Sequence, residues 1–207
     1  MTDALLPPAP SSREPREEGG IICGIDEAGR GALAGPVVTA AVILPKGFDP
    51  TGIGDSKKLT AQQRERAYER IVNEALSYGI GQCEAAEIDL LNILRATHEA
   101  MRRALAALAI PPDQVLVDGL PVPNLHPNCK NLIGGDGLEV SIGAASILAK
   151  VTRDRLLIVY DAQWPEYGFA GHKGYGSALH LAALDQHGPC PIHRRTFGPV
   201  AQLAMQF

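Results

Sequence analysis

The stretch that most constrains this chain is 21–31, Ile-Ile-Cys-Gly-Ile-Asp-Glu-Ala-Gly-Arg-Gly. A short apolar run reads as a buried strand and leads directly into two adjacent carboxylates, Asp26 and Glu27. An unpaired charge at the end of such a strand is very costly unless it is neutralised or coordinates a metal. The acid pair is therefore read as functional rather than as two solvated side chains. Gly29 and Gly31 then allow φ > 0 and close approach of backbone to a ligand. Arg30, between them, suits pairing with a phosphate.

Further along, 35–45 is rich in β-branched residues and reads as a second strand, close enough to the first for antiparallel pairing. Thr60 with Gln63 forms a capping box before an amphipathic helix carrying Ala67, Tyr68, Ile71, Val72, Ala75 and Leu76. Residues 78–83 suit a third strand. Residues 88–109 read as a helix with Leu94, Met101, Leu105 and Leu108 on one stripe, stopped by Pro111 and Pro112. Short strands are expected at 114–118 and 131–134, a long helix at 142–160, a glycine-rich loop at 168–176, and a helix capped by Ser177 and ending near Gly188. Strands followed by alternating strands and helices indicate an α/β fold with a mixed five-stranded sheet flanked by helices and a helical C-terminal part.

Asp26, Glu27, Asp118 and Asp136 share a context, at or just past the C-terminal end of an expected strand, where α/β sheets bind ligands. Oxygen-only ligands select Mg²⁺ or Mn²⁺ over zinc, and two such ions about 3.5–4 Å apart serve phosphodiester hydrolysis. Asp136, in Gly134-Gly135-Asp136-Gly137, is also open to reading as a turn residue. Because successive strand residues point to opposite faces, Asp26 and Glu27 converge only if the strand ends or twists there.

The segments GIDEAGRGALAGPV (24–37), DSKKL (55–59), EIDLLNIL (87–94), VDG (117–119), GAASILAKVTRD (143–154), GHKGYGS (171–177) and HRRTF (193–197), in this order, resemble bacterial ribonuclease HII, the type 2 ribonucleases H. The resemblance implies a ribonuclease H-like fold and metal-dependent cleavage of the RNA strand of RNA–DNA hybrids. It also implies incision 5′ of single ribonucleotides embedded in duplex DNA. By position, Asp26, Glu27, Asp118 and Asp136 match the family's metal-binding and catalytic acids. Gly29, Arg30 and Gly31 match the loop that reads the ribose 2′-OH, and Tyr175 the tyrosine that packs on the sugar. The chain departs from the pattern at Ala32, where proline is usual, and at Gly135, where lysine is common.

Other polar residues are open to two readings. Lys57 and Lys58 grip phosphates or are merely solvated. Asp154 pairs with Lys150 one turn back or supports the metals from behind. His172, Lys173, Arg194 and Arg195 suggest a DNA-facing surface, while His180 and His193 suit hydrogen-bonded packing or, alternatively, a ligand role. The final residues 202–207 (QLAMQF) are either a docking peptide for a sliding clamp or a last helical turn packed on the core.

The net charge of −4 opposes a uniformly basic nucleic-acid binder but leaves a local groove open. A non-catalytic nucleic-acid-binding module on the same fold is the alternative function, although it has no need of four acids. Residues 1–20, with four prolines, read as a disordered tail, and 21–207 as one catalytic domain with a helical extension. That tail leaves no room for the additional N-terminal domain of ribonuclease HIII. No run approaches the roughly 18 apolar residues of a membrane span. Cys23, Cys83, Cys129 and Cys190 show no paired spacing. The expectation is a monomeric cytoplasmic protein.

Overall fold

The computed structural model describes residues 20–54, 56 and 59–204. The expected N-terminal tail, apart from Gly20, and Lys57 and Lys58 lie outside these residues.

Five strands form one mixed sheet: β1 (Ile22–Ala28), β2 (Val37–Ile43), β3 (Ser77–Cys83), β4 (Gln114–Asp118) and β5 (Cys129–Leu132), in the order β3-β2-β1-β4-β5. β1 pairs antiparallel with β2 and parallel with β4. The two acid-bearing strands are therefore neighbours, with the carboxyl ends of both at one edge. β5 lies two residues earlier than expected; the following glycines instead form a turn, with Gly134 at φ 69°.

The seven helices among the described residues are α1 (Ala61–Glu74), α2 (Ala85–Leu91), α3 (Ile93–Ala106), α4 (Val140–Gln163), α5 (Phe169–His172), α6 (Ala178–His187) and α7 (Gly198–Ala204). The expected helix over 88–109 is broken at Asn92, which takes φ 68° and caps α3 by accepting from the Arg95 amide at 3.1 Å. Asparagine tolerates both the left-handed region and the cap position. Of the expected stripe, Met101 is buried and Leu105 and Leu108 pack half-buried on the core, while Leu94 is 45% exposed; Ala96, Ala100 and Ala104 complete the face on the sheet. The reason is close approach. A Cβ on Gly79 or Gly81 of β3 would lie 2.1 Å from the carbonyl oxygen of Ala104 or Ala100. Only small residues fit a helix lying this near a strand.

α4 crosses the other face of the sheet in the same manner, since a Cβ on Gly24 would meet the Ser141 backbone at 2.2 Å. Small residues fill its first turns, with Gly143, Ala144, Ala145 and Ser146 all buried. Its second half supports a separate apolar cluster in which Leu156, Leu157, Phe169, Leu184 and Val200 join Leu33 and Ala34. That cluster seats the C-terminal helices beside the 29–36 loop. The position of that loop therefore depends on residues more than 150 positions away.

Candidate active site

Asp26 and Glu27 lie within the last three residues of β1 rather than beyond it, paired with Ala40 and Thr39 of β2. Alternation accordingly sends them to opposite faces. Asp26, only 6% exposed, faces α4, and its Oδ1 accepts from the Glu27 amide at 2.7 Å. Glu27 faces α3, where its Oε1 receives the Arg30 guanidinium at 3.2 Å. Both nevertheless border one cleft of about 410 Å³, because β1 ends there and its rim is open. Asp118, at the end of the adjacent parallel strand, borders it too. Burial, reinforced by the neighbouring Glu27 charge, pushes the Asp26 carboxyl up from 3.8 to about 7.

The cleft is also lined by Gly29, Arg30, Gly31 and Tyr175. Gly29 is glycine for two reasons: its φ is 92°, and a Cβ would sit 1.9 Å from Arg153 Nε. Gly31 has no positive φ and nothing within 4 Å of where a Cβ would be, so its bareness keeps the cleft open. Tyr175 is 41% exposed, and the Arg153 guanidinium carbon lies 5.5 Å from its ring centre. Seven of the sequence-expected residues are thus gathered at one place: Asp26, Glu27, Asp118, Gly29, Arg30, Gly31 and Tyr175.

Asp136 is the exception. It sits in a short 3₁₀ turn beside the cleft and is not part of the lining. The turn still bears on the site, since the Gly135 amide donates to Asp118 Oδ1 at 2.7 Å. Gly135 itself is enclosed, as a Cβ would lie 2.7 Å from Ile142 Cδ1. A lysine at this position would displace Ile142. Among the described residues, no three His, Cys, Asp or Glu side chains already form a group able to hold a metal ion. Three of the acids are tied to protein donors instead, Asp26 to the Glu27 amide, Glu27 to Arg30 and Asp118 to the Gly135 amide.

Three polar lining residues were not singled out as ligand-facing from sequence: Ser56, Ser146 and Lys150. The serine hydroxyls are 2.9 Å apart, and Lys150 Nζ lies 2.7 Å from Asp154 Oδ1. The signal was available in α4, where polar residues at 146, 150 and 153–154 recur every helical turn among Ile147, Leu148, Ala149 and Val151. The Lys150–Asp154 pairing matches one of the two roles open to Asp154 from the sequence. Packing is likewise one of the two roles open to His180 and His193, whose Nε2 atoms meet at 2.9 Å in the core. Burial draws these rings down to about 4 and about 3, keeping both neutral.

Arg194 corrects the expected DNA-facing surface, because it is completely buried beneath the 29–36 loop while Arg195 stays exposed. Its forked donors have backbone carbonyls to satisfy there.

Comparison with known proteins gives the family of the chain and relatives of its fold. Residues 23–200 match the family profile described as Ribonuclease HII. The ribonuclease HII of Syntrophotalea carbinolica is 60% identical over 182 residues, 87% of each chain. Among solved structures, the ribonuclease H2 of Pyrococcus horikoshii OT3 aligns with a TM-score of 0.74 at 25% identity, over 90% of this chain and 98% of that one. The ribonuclease HII from the Archaeoglobus fulgidus complex with PCNA aligns at 0.70 and 22% identity, over 86% and 95%, a likeness of fold. From the first acid-bearing strand to the helix after the buried arginine, then, this chain belongs to the ribonuclease HII family and is a nuclease, a ribonuclease H of type 2.

Proposed function

We propose that the cleft cleaves the RNA strand of RNA–DNA hybrids and incises 5′ of single ribonucleotides embedded in duplex DNA, leaving 5′-phosphate and 3′-OH ends. The observation that carries this reading is the meeting, in one cleft, of Asp26, Glu27 and Asp118 with the Gly29–Arg30–Gly31 backbone and the Tyr175 ring. One half of such a cleft acts on a phosphodiester and the other reads a sugar. A 2′-OH is the group that distinguishes RNA from DNA at a single nucleotide, and backbone groups of a glycine loop match so small a target.

The residues suit two Mn²⁺ or Mg²⁺ ions. The donors are carboxylate oxygens, with Ser56 and Ser146 hydroxyls beside them, and this is a hard-cation set. Burial first, and then the neighbouring Glu27 charge, raise the Asp26 carboxyl, a condition that bound cations relieve. Asp26, Glu27 and Asp118 would hold the ions, with Asp136 joining from its turn. The chemistry such a pair supplies is activation of water and stabilisation of the leaving oxygen. Arg30 and Lys150 offer positive charge to the phosphates, and Tyr175 presents its ring to the sugar at the scissile junction. A non-catalytic binding module would gain nothing from burying Asp26 near the charge of Glu27 at a cost in stability.

The test uses a duplex carrying one embedded ribonucleotide, its all-DNA counterpart and a long hybrid, each with Mg²⁺, Mn²⁺ or EDTA. Cleavage of the first and third with metal, and of none with EDTA, is expected. Cleavage in EDTA or of the all-DNA duplex would refute the assignment.

A sliding clamp is proposed as a protein partner, through residues 202–207. In support, the Archaeoglobus fulgidus protein was solved with PCNA. Leu203, however, packs on the C-terminal cluster from the end of α7, so docking through it requires that turn to release. Residues 205–207 lie outside the described residues.

A further inference from the structure

Two arginines lie wholly buried under the cleft, and neither has a carboxylate hydrogen-bonded to its guanidinium among the described residues. Backbone carbonyls solvate them instead. Arg153 donates to Pro36 O at 2.9 Å, Ala34 O at 3.0 Å and Lys173 O at 2.9 Å. Arg194 donates to Gly35 O at 3.0 Å, Arg30 O at 2.8 Å and Gly29 O at 2.7 Å. Five of these six acceptors belong to residues 29–36, and the sixth belongs to the loop that carries Tyr175.

We infer that Arg194 is a positioning residue for ribonucleotide recognition: by drawing the Gly29 and Arg30 carbonyls inward, it turns the Arg30 and Gly31 amides into the cleft. The inference rests on the proposed function and assigns the reading of the 2′-OH to an orientation set from below. In a planar trans peptide the C=O and N–H point in opposite directions. No cis peptide occurs among the described residues. Two successive carbonyls held on one side therefore present two successive N–H groups on the other, and residues 29–31 line the cleft. The Ala32 amide also reaches Gly29 O, at 3.3 Å, and closes the turn.

The residue type matters. A guanidinium offers five donors in a rigid fork and reaches three carbonyls at once, whereas a lysine ammonium is a compact point charge. Burying such a cation without a carboxylate is expensive. Burial, with the nearby Arg153 charge, draws Arg194 down to about 9. Ordinary packing at this position is met more cheaply by an apolar side chain, but an apolar side chain leaves the orientation of the two peptides undetermined.

The experiment compares wild type with Arg194→Lys and Arg194→Gln. Affinities for the single-ribonucleotide duplex and for its all-DNA counterpart are measured without divalent metal, well below each protein's melting temperature. Steady-state kinetics with Mn²⁺ follow. Loss of folded protein lowers binding to both duplexes equally and leaves their ratio unchanged. Loss of the peptide orientation lowers the ratio. The expected result is affinity for the all-DNA duplex within about twofold of wild type, since phosphate contacts carry it. The preference for the ribonucleotide should fall by roughly tenfold, the scale of two lost hydrogen bonds. An unchanged preference in a folded variant would overturn the inference. Failure of both variants to fold would do so as well, by making Arg194 indispensable to the fold. A wild-type protein with no preference and no cleavage would instead overturn the proposed function, a separate outcome.

Discussion

Asp26→Asn should make the metal-free protein more stable while removing its activity. The Asp26 carboxyl is pushed up from 3.8 to about 7, first by burial and then by the Glu27 charge. A carboxyl whose folded value lies above its unfolded one favours the folded state in its protonated form. That contribution is complete below about pH 4 and is lost as pH rises through about 7. A shift of about three units corresponds to an upper bound of about 4 kcal/mol. Asparagine has nearly the same shape, keeps an oxygen for the Glu27 amide, and never ionises. The variant should therefore gain about 2–4 kcal/mol over wild type above pH 7, or roughly 5–12 °C in Tm for a chain of this size. The gain should shrink to near zero at pH 4. Calorimetry of both proteins in EDTA from pH 4 to 8.5 measures the difference directly. Adding Mn²⁺ or Mg²⁺ should raise the wild-type Tm and close the gap, because binding to the folded state adds stability by mass action. A Tm difference that stays flat across this range, or one unaffected by metal, would refute the account of crowded carboxylates.

Asp118→Asn should leave the fold intact and abolish cleavage, with metal-free binding to hybrid kept or improved as repulsion from phosphates falls; substantial Mg²⁺-dependent activity would remove Asp118 from the site. Tyr175→Ala should hurt incision at a single embedded ribonucleotide more than it hurts duplex binding; proportionate losses on every substrate would reduce the ring to packing. Gly29→Ala and Gly31→Ala should separate sharply. The first places a Cβ at φ 92° and 1.9 Å from Arg153 Nε, and should lower Tm by roughly 5 °C or more, whereas the second meets nothing within 4 Å and should leave Tm unchanged while impairing cleavage. Deleting 202–207 removes the Leu203 contact and should lower Tm, while deleting 205–207 alone should not; clamp affinity measured on both truncations locates any docking residues.

Much of the site was legible in the sequence because its parts are local. The strand that ends in Asp26-Glu27, the glycines at 29 and 31, and the short strand ending in Asp118 each declare a strand end or turn within a few residues, and strand ends in α/β sheets meet at one edge. The five strands and the Thr60 and Ser177 caps were legible for the same reason: alternation, capping and turn chemistry act over one to four residues.

Only the tertiary structure decided the rest. That Asp26 and Glu27 lie on opposite faces yet border one cleft depends on where β1 ends against β2 and β4. Ala96, Ala100 and Ala104 share the buried face of α3 with Met101, because Gly79 and Gly81, on a different element, demand close approach. The roles of Arg153 and Arg194 rest on carbonyls more than 100 residues away in the chain. A basic side chain in a polar segment reads as solvated whether or not a fold later closes over it. Burial is a property of what packs on top, and no local pattern encodes that.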